Sequence, residues 1–213
     1  MKLYVYHSTS PRKVELFLAE KNIAGIPTEF VDITKGGART PEFLKKNPFG
    51  GVPVLELDDG SYIAESVSIC RYFEALHPDP ALFGTTAREI AEIDMWIRRV
   101  ELNVLRAAGD FWVHGSPVTA HAIKDRIPEI AERAVSRLAH YYKLLDEQLA
   151  KYEFLAGDKY TAADTMSLPV IDFASKRVAV LYGEELVNLQ RWQDQVSARP
   201  SAIKHPLYNE QFN

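Results

Sequence analysis

The pattern of apolar residues changes at residues 77–84, HPDPALFG, and this change restricts the possible folds more than any other feature of the chain. Before it, short β-branched and aromatic runs alternate with stretches of helical spacing, whereas every periodic stretch after it has helical spacing. Two prolines and a glycine within the segment are typical of a linker. The sequence therefore predicts one domain over 1–77, a linker at 78–84 and a second domain over 85–213.

The predicted first domain is of the α/β class, with the element order βαβαββα. The Asp-Asp-Gly that ends at Gly60 is a hairpin signal between the third and fourth strands. In the last helix, apolar residues recur every third position from Val67 to Leu76, which gives that helix one apolar face. Strands are predicted at 2–6, 28–33, 52–57 and 61–64, and helices at 12–24, 41–46 and 65–76.

The predicted second domain is all α. Its apolar residues recur at steps of three and four, which is the helical rhythm. Pro128 lies inside the second periodic stretch and predicts a kink or a break there. Helical stretches are predicted at 86–108, 121–150, 162–181 and 184–198.

Composition excludes several classes of partner. The net charge of -4 is mild and no long run of like charge occurs, which argues against a nucleic-acid partner and a basic membrane-binding face. The sequence has no apolar run long enough to cross a bilayer, and MKLYVYHSTS lacks the pattern of a secretory signal. The single cysteine, Cys70, excludes an internal disulfide and a CxxC redox pair. We expect a cytoplasmic protein.

Three consecutive hydroxyl residues, 8–10, follow the first predicted strand. Ser10 and Pro11 match an N-cap and a first helical residue, so the residues themselves favour capping by Ser10. A serine–histidine–acid hydrolase triad is not favoured. His7 is adjacent to Ser8, and neighbouring side chains on extended backbone point to opposite faces.

Four passages, together with this domain order, resemble the cytosolic glutathione transferase superfamily over essentially the whole chain. They are STSPRKV at 8–14, NPFGGVPVLE at 47–56, ESVSICRYF at 65–73 and FLAGDKYTAADTMSLP at 154–169. STSPRKV is most similar to the serine-type classes phi, theta and zeta, and to unclassified bacterial and fungal members. The resemblance implies a thioredoxin-like first domain, glutathione as co-substrate, no metal, and a two-fold homodimer.

The resemblance also assigns the hydroxyls. Counted back from the RKV at 12–14, Ser8 falls at the position of the catalytic hydroxyl, with Ser10 or Thr9, and then Tyr4 or Tyr6, as alternates. Such a hydroxyl stabilises the glutathione thiolate by a hydrogen bond, aided by the dipole of the following helix. Ser8 is thus expected to act on sulfur and Ser10 to cap the helix.

The remaining glutathione contacts are expected in three segments. The resemblance implies a cis Val52–Pro53 bond, with the Val52 backbone pairing with the cysteinyl unit as an added strand does. Glu65 and Ser66 begin a helix and are expected to hold the γ-glutamyl group, although a serine there is also a common N-cap. The family often carries Lys, Gln or His just before Val-Pro, where this chain has Gly50 and Gly51. Arg39 or Thr40 is therefore expected to meet the glycyl carboxylate instead.

In the second domain, Phe111, Trp112 and His114 are expected to line the pocket for an apolar electrophile. Asp164, three residues after Thr161, has the spacing of a capping box and is interpreted as a folding element. The predicted activity is conjugation of the glutathione thiolate to that electrophile, in detoxification or in a single metabolic step. Two alternatives stay open. One is a glutathione-dependent isomerase, disulfide reductase or dehalogenase, and the other is a non-catalytic binding or assembly module.

Overall fold

The computed structural model describes residues 1–205, which form two compact units. The first unit contains residues 1–82 together with the segment that begins at Pro200, and the second contains residues 83–199. The predicted second domain extended over 85–213. Residues 200–205 of that range group with the first unit instead, and residues 206–213 lie outside the described part.

The first unit is built on a mixed sheet of four strands, in the spatial order β2-β1-β3-β4. Strand β1 pairs with β2 in parallel and with β3 antiparallel, and β3 pairs with β4 antiparallel. The helices are α1, α2 and α3, so the predicted order βαβαββα is confirmed. The elements are β1 (Lys2–Val5), α1 (Thr9–Glu20), β2 (Thr28–Phe30), α2 (Pro41–Leu44), β3 (Val54–Glu56), β4 (Tyr62–Ala64) and α3 (Ser66–Leu76).

Both faces of this sheet are covered. Alternate strand residues point to opposite sides, and residues of both sets are buried. Tyr4 and Val54 face one side, where they form a buried cluster with Phe43 of α2. Leu3 and Leu55 are the next residues along the strands and are also buried, so they belong to the opposite face. Helices α1 and α3 pack against each other and α3 contacts β3 and β4.

Helix α1 begins earlier than predicted. Its first residue is Thr9 and its N-cap is Ser8, whose backbone is extended, so the expected capping role of Ser10 is wrong. Pro11 is the third helical residue. Proline is tolerated throughout a first turn because the N–H groups there have no intrahelical acceptor. The Ser-Pro pair therefore marks a helix start only to within a turn.

The second unit is helical, as predicted. Val100–Leu105 is a π-helical stretch that joins α4 to α5, and α7 continues into a second π-helical stretch at Phe173–Arg177. None of the helices in residues 1–205 has the length and apolar character needed to span a bilayer. The helices are α4 (Ala87–Arg99), α5 (Arg106–His114), α6 (Pro128–Leu149), α7 (Ala162–Asp172) and α8 (Val187–Ser197).

Helix α6 begins at Pro128, so the prediction of helix over 121–127 is wrong. Proline occupies the first helical position, where its missing N–H would have had no partner. The break predicted near Pro128 is therefore confirmed, and it is the start of α6, not a kink within a helix.

Asp164 is the centre of the second unit's polar core. Its fully buried carboxylate accepts hydrogen bonds from Leu155 N at 3.0 Å, Thr161 N at 3.0 Å and Trp192 Nε1 at 2.8 Å. Burial raises the pKa of Asp164, while these donors act in the opposite direction. Thr161 and Asp164 form a reciprocal capping box at the start of α7, which confirms the prediction.

A short helix after the second unit, α9 (Pro200–Lys204), returns to the first unit and packs on α1. Arg12 Nε donates to the carbonyl oxygen of His205 at 2.8 Å, and the Ser201 hydroxyl donates to the Glu20 carboxylate. The first unit is therefore made from two separate parts of the sequence.

Candidate active site

The register of the sheet brings three loops to one edge. Tyr4, Val54 and Ala64 are paired in a row across β1, β3 and β4. Since β3 runs opposite to β1 and β4, the end of β1, the start of β3 and the end of β4 share the same edge. The segments just beyond this row consequently lie at the same edge of the sheet, and they hold Ser8, Val52 and Glu65.

The Ser8 hydroxyl is not used to cap α1. Ser8 is the N-cap residue, with φ -152° and ψ 170°, yet its side chain makes no capping hydrogen bond. Thr9 is buried, whereas Ser8 and Ser10 are partly exposed. The first N–H groups of α1 lie beside Ser8 without a side-chain cap, and such groups attract negative charge.

The Val52–Pro53 peptide bond is cis, as predicted. Strand pairing of β3 begins at Val54, so the ladder does not include Val52. Within residues 1–205, no backbone group pairs with the N–H or C=O of Val52. An extended peptide can use such a free N–H and C=O as the edge of a sheet.

Glu65 has a backbone conformation that is unusual for a residue with a side chain, with φ 68° and ψ 121°. Strain of this kind amounts to about 1–3 kcal/mol and is concentrated at ligand sites. Glu65 is the N-cap of α3, so the interpretation of Ser66 as that cap is wrong: Ser66 is the first helical residue and is buried. The exposed Glu65 side chain makes no capping bond, which leaves the start of α3 open to an anion.

Arg39 lies against the loop that precedes Val52. Its Nη1 donates to the carbonyl oxygen of Phe49 at 3.1 Å. Gly50 has φ +63°, and a Cβ there would lie 2.6 Å from Arg39 Nη1 and 2.8 Å from the carbonyl oxygen of Ala38. The missing side chain at position 50 is thus what admits the guanidinium. Thr40 caps α2 by accepting from Phe43 N at 3.2 Å.

This relation between Arg39 and Gly50 was not predicted. The sequence indicated only that Gly50 offers no side chain, and the two residues are brought together by the fold. The pair Gly36-Gly37 predicts a tight turn before Arg39, but no signal in the sequence indicates that this turn meets Gly50.

The structure separates the three candidate residues of the second unit. Phe111 and His114 line an open pocket of about 540 Å³ where α5 ends and α6 begins. The Trp112 ring packs edge-on against Phe173, with 5.5 Å between ring centroids, and the Arg177 guanidinium lies 5.6 Å from its centre. In residues 1–205, no three His, Cys, Asp or Glu side chains gather as metal ligands do.

The family models and relatives agree with this architecture. Residues 3–81 match the glutathione S-transferase N-terminal domain, and residues 116–200 match the C-terminal domain. Glutathione S-transferase 2 of Saccharomyces cerevisiae is 33% identical over 208 residues, which cover 95% of this chain and 89% of the yeast protein. Glutathione S-transferase F9 of Arabidopsis thaliana is 28% identical over 94% of each chain.

A solved structure shows the same fold. The crystal structure of a glutathione S-transferase domain-containing protein from Marinobacter aquaeolei VT8 superimposes with a TM-score of 0.89. It is 33% identical, and the alignment covers 95% of this chain and all of that one. The sheet and its helices form a thioredoxin-like domain followed by a helical domain, which is the architecture of an enzyme class that transfers groups to a thiol. The chain belongs to the glutathione S-transferase family.

Proposed function

We propose that this protein conjugates glutathione to an apolar electrophile. The observation that carries the proposal is the meeting of three unused groups at one sheet edge. The first is the Ser8 hydroxyl, which makes no capping hydrogen bond to α1. The others are the Val52 backbone, whose N–H and C=O have no backbone partner, and the N-terminus of α3 at Glu65, which has no side-chain cap. The cysteinyl unit pairs with Val52, and the γ-glutamyl carboxylate binds at the N-terminus of α3, with its ammonium group on Glu65.

Arg39 is proposed to bind the glycyl carboxylate. A guanidinium has five N–H donors, and the bond to the Phe49 carbonyl uses one of them. Thr40 is a weaker candidate because its hydroxyl already accepts from Phe43 N and donates to the carbonyl oxygen of Gly37. Arg39 thereby supplies a positive charge in place of the polar side chain that the family often carries at positions 50 and 51.

Ser8 is proposed to stabilise the thiolate. A free thiol has a pKa of about 8.5, so only a few per cent is ionised at neutral pH. Lowering this pKa by roughly two units requires about 2.7 kcal/mol, which lies within the reach of one charged hydrogen bond and the helix terminus. The thiolate then forms a bond to an electrophilic carbon, and the leaving group departs with the electron pair of the bond that breaks.

The electrophile is proposed to bind to the second domain, with Phe111 and His114 as contacts and Trp112 as a neighbouring residue. The protein is proposed to act in the cytoplasm as a two-fold homodimer. Phe49 and Leu102 support self-association, because they expose 83% and 57% of their surfaces to solvent.

The test is an ultraviolet difference titration of the thiolate band with glutathione across pH, on Ser8→Ala and the matched control Ser10→Ala. Because the helix terminus remains, Ser8→Ala should raise the pKa of the bound thiol by roughly one to two units and lower kcat/KM about 10- to 100-fold below the pKa. Ser10→Ala should leave both values near those of the parent. The opposite pattern refutes the assignment of Ser8. Binding without a thiolate band favours a disulfide reductase or a scaffold.

A further inference from the structure

One buried side chain, that of Asn47, holds the loop between α2 and β3. Its Oδ1 accepts the Phe49 N–H at 3.1 Å, and its Nδ2 donates to the carbonyl oxygen of Gly51 at 2.9 Å. Its backbone carbonyl accepts the Gly50 N–H at 2.9 Å, and its own N–H donates to the carbonyl oxygen of Phe43 at 3.0 Å. Asn47 is only 4% exposed. The loop is therefore fastened to α2 through this residue.

The bond between Asn47 and Phe49 has a purely local explanation. An asparagine side chain commonly accepts the backbone N–H two residues later, which shapes a turn. The bond to Gly51 is different, because it reaches four residues along the chain and uses the donor end of the amide. A donor faces Oδ1 and an acceptor faces Nδ2, so these partners fix the orientation of the amide. The turn alone does not require the second bond.

The carbonyl group that Asn47 binds shares a rigid plane with the Val52 N–H. The peptide bond between Gly51 and Val52 is trans, so its C=O and N–H point in opposite directions. Because Nδ2 of Asn47 holds the carbonyl oxygen, the Val52 N–H points away from Asn47. This N–H has no backbone partner within residues 1–205. Asn47 thus sets the direction of a free donor at the candidate active site.

Arg39 bonds to a different peptide of the same loop. Its Nη1 donates to the carbonyl oxygen of Phe49, which belongs to the peptide between Phe49 and Gly50. The direction of the Val52 N–H therefore depends on Asn47 more directly than on Arg39. The two side chains have separable roles, since one contributes charge and the other orients a peptide group.

We propose that Asn47 is a positioning residue for glutathione, which aims the Val52 N–H at the cysteinyl unit. This role rests on the proposed function and deepens it, because it adds a residue that acts through Val52 and not on the ligand. Asn47 has no part in stabilising the sulfur. Its replacement should therefore weaken the binding of glutathione and leave the pKa of the bound thiol unchanged.

The experiment replaces the Asn47 amide with a group that donates only when protonated. In Asn47→Asp, one oxygen still accepts the Phe49 N–H. The ionised carboxylate has no hydrogen for the Gly51 carbonyl and repels its oxygen, whereas the protonated carboxyl donates again. Burial and the facing carbonyl raise the pKa of the introduced group above the usual value of about 3.9. Arg39 and Lys46, two cations next to Asn47, stay charged between about pH 5 and about pH 8.

The probe is S-methylglutathione, which keeps both carboxylates and the peptide backbone and has no thiol to ionise. In calorimetry on the whole protein at about pH 8, Asn47→Asp should bind it roughly 10- to 100-fold more weakly than the parent. At about pH 5 the difference should fall below about threefold, because the protonated carboxyl restores the bond to Gly51. Asn47→Ala, which has no donor in either state, should bind weakly at both pH values.

Asn22→Asp is the matched control, because it adds the same charge at an exposed position after α1. It should bind S-methylglutathione as the parent does at both pH values. A thiolate titration of Asn47→Asp with saturating glutathione is the second readout. The pKa of the bound thiol should equal that of the parent, because Ser8 and the start of α1 are unchanged.

A measurement at Val52 itself guards against a general loss of structure. In nuclear magnetic resonance of isotope-labelled, ligand-free Asn47→Asp, the Val52 amide signal should shift between about pH 8 and about pH 5, because the peptide plane turns as the introduced carboxyl is protonated. In the parent the same signal should stay constant. A defect spread over the whole unit would not single out this amide.

Four results overturn the proposal. They are undiminished binding by Asn47→Asp at about pH 8, an equal deficit at both pH values, a Val52 signal that ignores pH, and a changed pKa of the bound thiol. Absence of S-methylglutathione binding by the parent refutes the proposed function, and the role of Asn47 with it. Binding by the parent without loss in the variant refutes the role of Asn47 alone.

Discussion

Removing the Asp164 carboxylate should destabilise the protein severely, for reasons that follow from three hydrogen bonds. In Asp164→Ala, the Leu155 N–H and the Trp192 indole N–H lose their acceptor, and both residues are buried. Each stranded donor costs about 1–3 kcal/mol. The Thr161 N–H loses its half of the capping box, worth roughly another 0.5–1 kcal/mol.

Taken separately, these contributions sum to about 2.5–7 kcal/mol, and because neighbouring losses are partly shared we expect a loss of about 2–5 kcal/mol. That is a large part of the 5–15 kcal/mol or so by which a typical domain is stable. Asp164→Asn keeps the shape and the oxygen that faces Trp192 and Leu155. Its amide nitrogen meets the Thr161 N–H, donor against donor, so the expected loss is about 1–3 kcal/mol.

Urea unfolding followed by tryptophan fluorescence measures these differences, with Asp158→Ala as the control. Asp158 is exposed in the loop that leads into α7, and its replacement should change the free energy of unfolding by less than about 0.5 kcal/mol. The reasoning is refuted if Asp164→Ala loses less than about 1 kcal/mol, or if Asn and Ala are equally destabilising.

Three further outcomes are expected. Gly50→Ala should destabilise the protein by about 1–3 kcal/mol and weaken glutathione binding by displacing Arg39, whereas Gly51→Ala, whose Cβ meets no atom closer than 3.7 Å, should be nearly neutral in urea unfolding and calorimetry. Glu65→Gly should weaken glutathione binding yet raise stability by roughly 1 kcal/mol through relief of strain, while Glu65→Ala should weaken binding without that gain. Burial lowers the pKa of His205 below 6.5, so the folded state binds fewer protons than the unfolded state just below pH 6.5. Stability is therefore lost as the pH falls through this window, and the loss should be smaller in His205→Asn; equal pH profiles would contradict it.

Local signals in the sequence predicted those parts of the fold that local chemistry determines. The capping box of Thr161 and Asp164 and the element order of the first unit were predicted from local patterns. The cis bond before Pro53 was implied by the resemblance to the family and not by a local signal. The break predicted near Pro128 is observed, but the helix start predicted at Pro11 is two residues late, because the first turn accepts proline at several positions. Pro11 is third in its helix and Pro128 is first in its own.

Long-range contacts could not be predicted from the sequence. Nothing local indicates that Arg39 fills the space beside Gly50, since the two loops meet only when the sheet edge forms. The strained backbone of Glu65 could not be predicted either. Positive φ is uncommon in residues other than glycine, and nothing in the neighbouring sequence indicates it at Glu65. The candidate site was therefore predicted as a set of segments, and its geometry was not.

The return of α9 to α1 has a consequence for the order in which the protein is made. The first unit is discontinuous, since Met1–Leu82 is joined by the segment that begins at Pro200. On the ribosome, residues 1–82 emerge early, yet His205 and Ser201, which bond to Arg12 and Glu20, are synthesised only after the whole second unit. Until then Arg12 and Glu20 lack these partners. The contacts of α9 with α1 are thereby among the last contacts of the first unit to form during synthesis.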